Sequence, residues 1–278
     1  MKIGAIIQAR TSSSRLPRKV LKPLPFDSDI CVLQQVIRRV SKSKLIDDVI
    51  VATSTNEEDQ EIVEVAKKEN IKYYCGSLDN VLERYYNASS KNELDVVVRI
   101  TSDCPCIDSI IIDDIIQSHL DLKADYTSNS LKESFPRGID VEVINFDALK
   151  RAYLEATQDY EKEHVTPFIY KSHPEEFKIN IVVSKEDYSS MRITLDTPQD
   201  YALLCCVYDN LYEKDNFFTL NDILELFDKK PWIKSINEDI IQKKVCSTLS
   251  EELEEAIHLC DVQDLNKAKN FIENHFGV

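Results

Sequence analysis

The sequence predicts an α/β protein with three layers, in which helices cover both faces of a mostly parallel, mixed β-sheet. Two observations support this prediction. Short apolar runs alternate with amphipathic stretches from residue 3 to residue 120, which is the rhythm of strands followed by helices. The run over residues 95–101 is almost continuously apolar, as expected for a parallel strand that is covered on both faces.

The first half of the chain contains the clearest elements. Val32, Leu33, Val36, Ile37 and Val40 recur at helical spacing and define one apolar helix face. Strand runs and polar-faced helical stretches then follow each other in turn. We predict strands at residues 3–8, 48–53, 72–75 and 95–101, and helices at residues 32–41, 56–69, 80–91 and 109–120.

The second half is less regular. We predict strands at residues 140–145 and 178–183, and helices at residues 146–156, 162–173, 200–212 and 220–227. From about residue 237 the chain is helical and charged, with Leu253, Ile257 and Cys260 as an apolar stripe. We therefore expect a main domain over residues 1–235 and a C-terminal helical extension over residues 236–278, which packs on the main domain or on a second subunit.

Charge and composition exclude some classes of function. The chain has 278 residues and a formal net charge of −15, with 43% hydrophobic and 30% charged residues. This composition is ordinary for a globular protein, and the length allows a substantial core. A protein that binds nucleic acid needs a basic face, and the sequence shows none beyond one N-terminal loop. We expect no nucleic-acid partner.

The cysteines and the N-terminus indicate a reduced compartment. The eight cysteines form no CxxC pair, and Cys104 and Cys106 have no second pair with which to complete a zinc site. We expect most of them to be small buried residues. The first apolar run is too short for a signal peptide, and no run approaches membrane-spanning length. We therefore expect a cytoplasmic protein without a membrane partner.

A loop with dense positive charge follows the first predicted strand. It carries Arg10, Arg15, Arg18, Lys19 and Lys22, although the chain as a whole is acidic. Ligands of open α/β sheets bind outside the carboxyl ends of strands, and Arg and Lys offer donors and charge to phosphate oxygens. The loop is therefore predicted to bind phosphate; a solvated basic loop is the alternative.

Two aspartates also follow apolar runs. Asp103 lies in SDCP and Asp196 in LDTP, and each precedes a turn that contains proline. A carboxylate at such a position can cap a helix or a turn, or it can bind a metal ion. Taken one at a time, the two positions favour capping.

The segment AIIQARTSSSRLPRKVLKPL, residues 5–24, resembles the N-terminal signature of the cytidylyltransferases that make CMP-activated acidic sugars. It is most similar to the spore coat polysaccharide biosynthesis protein F group, while CMP-sialate and CMP-KDO synthetases are more distant relatives. Further segments match in order: GSLDNVLERYYNA (76–88), VVVRITSDCPCID (96–108), DYTSNS (125–130), FPRGIDVEV (135–143), EHVTPFI (163–169) and RITLDTPQDY (192–201).

The resemblance implies a nucleotidyltransferase fold of the Rossmann-like, GT-A type, with a mixed sheet in its second half. It implies transfer of CMP from CTP to an acidic sugar or a similar small anionic acceptor, with release of pyrophosphate, for surface polysaccharide synthesis. Such a reaction requires cations on the phosphates and a divalent metal ion, here Mg²⁺. The resemblance favours Asp103 and Asp196 as the metal ligands.

The nucleotide contacts follow from the same resemblance. Arg10, Arg15 and Lys19 are expected to contact the triphosphate and to act in catalysis, whereas Arg18 and Lys22 are expected to be surface charges. For Arg84, contact with the base or a phosphate competes with a simple salt bridge. The other expected nucleotide contacts are Ala9, Ser12, Ser13, Ser14, Ser77, Asp79, Thr101 and Asp103.

The expected acceptor contacts lie in the second half of the chain. Arg137 would pair with a carboxylate or phosphate of the acceptor, and His164 would assist deprotonation of the attacking hydroxyl or hydrogen-bond to it. The other expected acceptor contacts are Asn129, Asp140 and Glu142. The resemblance also implies a homodimer.

Three positions depart from the family pattern. Ser12, Arg18 and Ser102 stand where the family usually has glycine. Glycine permits a positive φ and close approach of the backbone to a phosphate, so a side chain there must donate to the ligand or carry strain. The lost glycines keep one alternative open, a non-catalytic nucleotide-binding scaffold. The other alternative is an enzyme of related fold, a glycosyltransferase that uses a nucleotide sugar, with Asp103 as its metal-binding carboxylate.

Overall fold

The computed structural model describes residues 1–240 and 248–276. The chain divides into two compact units, Met1–Asp239 and Ile240–Val278. The first unit contains the sheet, and the described part of the second contains two helices. Among the described residues, no helix is both long and apolar enough to span a membrane.

Within the described residues, seven strands form one sheet in the order β3-β2-β1-β4-β6-β5-β7. Only β6 runs against its neighbours, since it is antiparallel to both β4 and β5. The other neighbouring pairs are parallel, so the expected mixed, mostly parallel sheet is confirmed. The strands are β1 (Ile3–Gln8), β2 (Asp48–Ser54), β3 (Lys72–Gly76), β4 (Val96–Thr101), β5 (Tyr126–Ser128), β6 (Glu142–Asn145) and β7 (Ile179–Ile181).

Helices connect the strands and begin at polar caps. The Asn80 side chain accepts a hydrogen bond from Glu83 N at 3.0 Å, and Asp108 Oδ1 accepts one from Ile110 N at 2.9 Å. Such caps satisfy donors that the first helical turn leaves free. The α-helices of the first unit are α1 (Val32–Val40), α2 (Gln60–Lys68), α3 (Val81–Lys91), α4 (Ser109–Leu122), α5 (Phe146–Glu155), α6 (Asp159–His164), α7 (Pro198–Leu211) and α8 (Leu220–Lys229).

The core has one layer on each face of the sheet, because successive strand residues point to opposite faces. Ile7 packs in a cluster with Leu33 of α1 on one face. Ile6 packs with Tyr85 of α3 on the other face. A third cluster, which includes Leu195, joins α7 and α8 to the chain that precedes them. This last cluster fixes the segment that carries Asp196.

The structure corrects the predicted second half in three places. Strand β5 was not predicted, because three residues are too few to show a pattern. The predicted helix over residues 162–173 is two segments, since α6 ends at His164 and a π-helical turn covers Phe168–Ser172. Pro167 has no N–H group to continue the ladder between them. The strands predicted at 140–145 and 178–183 are shorter than expected, at four and three residues.

The second unit contains α9 (Leu249–Val262) and α10 (Asn266–Phe276). Leu265 N donates to Cys260 O at 2.7 Å where the two helices meet. Lys269 Nζ bridges to Asp261 Oδ1 at 2.7 Å, which ties the helices together. Cys246 lies outside the described residues, and no disulfide forms among the described cysteines.

Candidate active site

The positively charged loop, here residues 9–22 and called the cationic loop, starts where β1 ends. Thr11 anchors it, because Thr11 N and Thr11 Oγ1 both donate to Asp59 Oδ1, at 2.7 and 2.8 Å. Asp59 is buried and precedes α2. The loop then closes on itself, with Arg18 N donating to Thr11 O at 3.0 Å. The loop is thus held at the carboxyl edge of the sheet.

Lys19 lies between the two aspartates singled out in the sequence. Its Nζ is 2.6 Å from Asp103 Oδ2 and 2.7 Å from Asp196 Oδ1. Backbone contacts join the two carboxylate segments directly, because Leu195 N donates to Asp103 O at 2.8 Å. Carboxylates 93 positions apart in sequence therefore converge beside the cationic loop. We call Lys19, Asp103 and Asp196 the charged triad.

Asp196 has two further cations on its other oxygen. Arg15 Nη2 is 3.0 Å and Arg192 Nη2 2.7 Å from Asp196 Oδ2. Burial raises the pKa of Asp196, but the charge and hydrogen bond of Lys19, together with Arg192 and Arg15, outweigh it and lower the pKa to about 2. Burial likewise lowers the pKa of Lys19, but its two carboxylate partners raise it above the ordinary value. Asp196 and Lys19 therefore both stay ionised around neutral pH.

Arg192 is itself held from behind by a buried aspartate. Asp200 is fully buried and accepts from Arg192 Nε at 2.9 Å. It also accepts from Asp196 N at 2.9 Å and from Asn237 Nδ2 at 2.8 Å. This network fixes both the backbone and the carboxylate of Asp196.

The triad fits a divalent cation that is shared with substrate phosphates. Mg²⁺ usually takes one or two protein carboxylates and completes its shell with water and phosphate oxygens. Within the described part of the chain, the Cys104 thiol at 3.7 Å is the one hydrogen-bond partner of Asp103 Oδ1, so this hard oxygen is open to a metal ion. Among the described residues, no three metal-binding side chains form a closed cage. Asp103 and Asp196 are therefore suited to a metal ion that arrives with a nucleotide.

The expected phosphate contacts lie along the cationic loop. Arg10 is exposed and makes no side-chain bond among the described residues, whereas Ala9 is buried and its N donates to Ala52 O at 3.0 Å. Arg18 pairs with Glu61 at 2.6 Å, and Lys22 Nζ lies 5.2 Å from the ring centre of Tyr201. Ser12, Ser13 and Ser14 lie at least partly exposed.

Only one of the three departures from glycine has a left-handed backbone. Arg18 has φ 58°, whereas Ser12 and Ser102 do not have positive φ. Ser102 N donates to Gln8 O at 3.2 Å, which extends the β1–β4 pairing by one residue. The strain expected at serine is therefore absent, and the conformation that glycine favours occurs at Arg18.

The segment expected to hold the base follows β3. Ser77 Oγ accepts from Asn80 N at 3.2 Å, and Asp79 is exposed. Arg84 is only 2% exposed, and its guanidinium forms no hydrogen bond or salt bridge among the described residues. The simple salt bridge considered for Arg84 is therefore not found. Thr101 Oγ1 lies 3.2 Å from the Cys104 sulfur, beside the triad.

The expected acceptor segment packs against the chain that leads to Asp196. Arg137 N donates to Met191 O at 2.9 Å, and Ile193 N donates to Arg137 O at 2.8 Å. Gly138 has φ 110°, and a Cβ there would stand 2.7 Å from the Ile193 carbonyl, so only glycine fits. Arg137 Nε lies 3.6 Å from Asp140 Oδ2. Burial raises the pKa of Asp140, although Arg137 opposes the rise.

Two expected acceptor contacts instead bind within the protein. Asn129 donates to Ile139 O at 2.7 Å and accepts from Val141 N at 2.8 Å. Glu142 is buried and is bonded to Arg99, to the Tyr126 hydroxyl and to Thr166 Oγ1. Both side chains already have hydrogen-bond partners within the protein, and their direct contact with an acceptor stays a prediction. Asn129 holds the backbone on both sides of Asp140.

His164 lies at a strained turn. The next residue, Val165, has φ 73° and ψ −53°, and Thr166 N donates to His164 O at 2.9 Å, which makes a γ-turn. A β-branched residue rarely adopts positive φ. Thr166 Oγ1 donates to Glu142 at 2.8 Å and helps to hold the turn. Strain of this kind is common at functional sites.

Sequence reasoning missed four residues of the site. They are Thr11 and Asp59, which anchor the cationic loop, and Arg192 and Asp200, which hold Asp196. Asp200 carries a signal, because it stands three residues after Thr197 in a capping box. Thr11 and Asp59 are 48 residues apart, and no local sequence pattern indicates that they bond to each other.

Comparisons with known proteins identify the family. The family model described as cytidylyltransferase matches residues 4–272, so it extends into the second unit. The chain is 39% identical to an uncharacterized protein of Methanocaldococcus jannaschii, over 87% of this chain and 97% of that protein. It is 30% identical to the spore coat polysaccharide biosynthesis protein SpsF of Bacillus subtilis, over 81% of this chain and 94% of that protein.

A solved structure is also similar. The chain is 31% identical to a cytidylyltransferase from Leptospira borgpetersenii, and the two structures superpose with a TM-score of 0.79. The match covers 88% of this chain and 100% of that one. The predicted nucleotidyltransferase fold is thus confirmed, as is the predicted resemblance to the synthetases of CMP-activated acidic sugars. The chain belongs to the cytidylyltransferase family and is a CTP-dependent nucleotidyltransferase.

Proposed function

We propose that the protein transfers CMP from CTP to a small anionic acceptor such as an acidic sugar, with release of pyrophosphate, in surface glycan synthesis. The observation that carries this proposal is the convergence of Asp103 and Asp196 on Lys19 of the cationic loop. Nucleotidyl transfer needs such an arrangement, because its catalysis depends on positioning and on charge at the phosphates.

The cationic loop would bind the triphosphate. Arg10 is exposed, has no side-chain partner among the described residues and can donate to phosphate oxygens, and the Arg15 guanidinium contacts Asp196 of the triad. Lys19 contacts both carboxylates in the protein alone and would donate to a phosphate oxygen once a metal ion takes its place between them. The hydroxyls of Ser12, Ser13 and Ser14 offer further donors on the same loop.

Asp103 and Asp196 would hold Mg²⁺, whose charge stabilises the phosphoryl oxygens when it is bound. Asp196 is suited to this role because its low pKa keeps it ionised. The Arg192–Asp200 pair keeps its carboxylate in place. Asp103 contributes the oxygen that is free of strong contacts.

The acceptor would bind between the triad and the segment with Arg137. The Arg137 side chain is 45% exposed, so it is available to a carboxylate or phosphate of the acceptor. Asp140 and His164 lie in neighbouring segments and are the candidates for contact with the attacking hydroxyl. The raised pKa of Asp140 suits a group that takes up a proton.

The test is pyrophosphate release from each of the four nucleoside triphosphates with Mg²⁺ and a panel of acidic sugars. We expect release with CTP and one class of acidic sugar, and none when Mg²⁺ is chelated. Arg151→Met, which changes an exposed salt-bridged arginine on α5, serves as the control. A nucleoside diphosphate requirement without pyrophosphate release would indicate glycosyl transfer, and CTP binding without turnover would indicate a scaffold.

A further inference from the structure

Asp59 is a buried carboxylate beside the active site that belongs to none of the expected nucleotide, metal or acceptor contacts. It is 2% exposed, and it forms no salt bridge within the part of the chain that the structure describes. It is the N-cap residue of α2, yet its side chain makes no hydrogen bond to its own helix. An aspartate at that position usually accepts from the first helical turn. The carboxylate therefore serves another segment of the chain.

Both oxygens of Asp59 accept hydrogen bonds from neighbouring segments. Oδ1 accepts from Thr11 N at 2.7 Å and from Thr11 Oγ1 at 2.8 Å. Oδ2 accepts from the hydroxyl of Ser54, the last residue of β2, and this hydroxyl in turn accepts from Asn56 N at 3.1 Å. Thr11 and Ser54 are buried as well. Asp59 thus joins the cationic loop to the end of β2 through donors that are shielded from water.

Thr11 is the point at which the cationic loop is held. Its carbonyl oxygen accepts from Arg18 N at 3.0 Å, which closes the loop. In the described part of the chain, the backbone N–H groups of residues 12–16 have no hydrogen-bond partner. Pro17 has no N–H group to offer. The loop therefore has no hydrogen-bond ladder of its own, and its shape depends on Thr11 and on the packing of the buried Leu16 side chain.

Such a loop is suited to phosphate oxygens if its shape is fixed beforehand. Residues 12–16 offer unpaired N–H donors, and Arg10 and Arg15 add positive charge on the same segment. A loop that is ordered before the ligand arrives binds more tightly, because its conformational entropy is not lost on binding. The bonds from Thr11 to Asp59 supply order of this kind in the protein alone.

The charge of Asp59 has the opposite effect on an anionic ligand. Burial lowers the pKa of Arg84, and of the two nearby charges, Arg10 lowers it further while Asp59 raises it. The Asp59 carboxylate thus lies close enough to these arginines to weaken their positive field. Geometry and charge at Asp59 therefore act in opposite directions on phosphate binding, and two substitutions can separate them.

We propose that Asp59 is a positioning residue for the triphosphate: by holding Thr11 it keeps the cationic loop ordered for phosphates, and this gain outweighs the repulsion from its charge. This inference rests on the proposed function, because it takes the cationic loop as the triphosphate site. Asp59 acts through Thr11 and does not contact the substrate. Loss of the anchor should therefore weaken the bound ground state and the transition state equally, so that KM for CTP rises while kcat changes little.

The experiment uses two variants that separate hydrogen bonding from charge. Asp59→Asn removes the charge, but the amide oxygen can still accept from Thr11 and the amide nitrogen can donate to Ser54. Asp59→Ala removes the charge and the bonds. Calorimetry at constant ionic strength, with inorganic tripolyphosphate and with CTP in the presence of Mg²⁺, measures the affinities. We expect Asp59→Ala to bind both about tenfold more weakly, as the loss of hydrogen bonds to a charged group allows, and Asp59→Asn to bind both as tightly as the wild type or more tightly.

Asp113 offers a matched control. It lies on α4 and accepts from Ser43 Oγ, from Lys44 N at 3.1 Å and from Leu45 N at 3.3 Å, so it holds a turn in the same manner. That turn precedes β2 and lies at the opposite, amino edge of the sheet. Asp113→Ala should lower the melting temperature, as Asp59→Ala does, but leave the affinities for CTP and tripolyphosphate unchanged.

Thr11→Val keeps the test valid if Asp59→Ala does not fold. It removes one of the two hydrogen bonds on the loop side and retains the carboxylate. We expect this variant to bind tripolyphosphate about threefold more weakly than the wild type. Wild-type affinity in Thr11→Val would then overturn the inference.

Four results with Asp59→Ala and its control would also overturn it. They are wild-type affinity in Asp59→Ala, tighter binding in Asp59→Ala, equal weakening in Asp113→Ala, and a fall in kcat without a rise in KM. The first three measurements do not depend on turnover, so they leave the proposed function standing. Failure of the wild type to release pyrophosphate, with the expected differences in tripolyphosphate binding intact, would remove the proposed function alone.

Discussion

Lys19 and Arg84 are both shielded cations at the same edge of the sheet, but their surroundings differ. Lys19 lies between two carboxylates at 2.6 and 2.7 Å, while Arg84 has no acidic partner within hydrogen-bond distance among the described residues. Arg15 and Arg192 also contact Asp196, so the protein itself supplies cations for both carboxylates of the triad. Arg84 has no such compensation among the described residues. The comparison teaches that the fold neutralises the charges around Asp196 but leaves the buried charge of Arg84 without an acidic partner in the described part of the chain.

The largest effect is expected at the triad. Asp103→Asn removes the charge of the carboxylate with the open oxygen and should lower turnover by about 10³-fold, since metal stabilisation of the phosphates is worth several kcal/mol. Far-ultraviolet circular dichroism should be unchanged, because the amide keeps the shape of the side chain. Initial rates of pyrophosphate release measure the effect. Activity within a few-fold of wild type would separate Asp103 from the metal.

The next largest effect is expected on stability, when Asp200, the buried partner of Arg192, is removed. Asp200→Ala leaves the buried side of Arg192 without its partner and should lower the free energy of unfolding by about 3–5 kcal/mol. Denaturant unfolding measures this loss. Asp222→Ala is the matched control, because Asp222 has the same N3 position in the capping box of α8 but is exposed. Equal losses for both variants would mean that Asp200 acts only as a cap.

The cations around Asp196 also predict that the stability of the protein depends on pH. The pKa of Asp196 is about 2 in the folded protein and 3.8 ordinarily. A lowered pKa gives stability that is present above the unfolded value and is lost as the pH falls through the folded one. The difference in unfolding free energy between wild type and Asp196→Asn should therefore shrink by about 2 kcal/mol from pH 5 to pH 2. A constant difference would show that the pKa is not lowered.

The smallest expected effect is a difference in stability between glycine variants at two positions where the family usually has glycine, residues 12 and 18. Arg18→Gly should raise the unfolding free energy by up to about 1 kcal/mol, because it relieves a left-handed backbone. Ser12→Gly should be neutral or slightly destabilising, since Ser12 does not have positive φ and glycine adds freedom to the unfolded chain. Thermal unfolding of the two variants side by side tests the contrast. A gain at Ser12 and none at Arg18 would reverse it.

The sequence was informative where one segment decides the structure. Strand β1, the cationic loop, Asp103 and Asp196 each follow from a local pattern, an apolar run that ends in polar residues. The partners of those residues did not follow. Arg192 reads as an ordinary basic residue until the fold places it on Asp196 and Asp200.

Burial decides what a single sequence leaves open about the expected acceptor contacts. Glu142 stands at a strand end, as a ligand would, but β6 pairs with β4 and brings it to Arg99 in the interior. Asn129 is likewise taken up by the backbone around Asp140. Pairing between distant strands decides whether a polar side chain faces a ligand, and a single sequence does not contain that information. The γ-turn at Val165 likewise could not be predicted from the sequence.

The most direct test of the metal site is a crystal of the protein grown with CTP and Mn²⁺ and measured at the manganese absorption edge. The account predicts an anomalous peak between Asp103 and Asp196, within about 2–2.5 Å of an oxygen of each carboxylate, with phosphate oxygens beside it. A peak at another place, or carboxylates that still hold Lys19 between them while the nucleotide is bound, would contradict it.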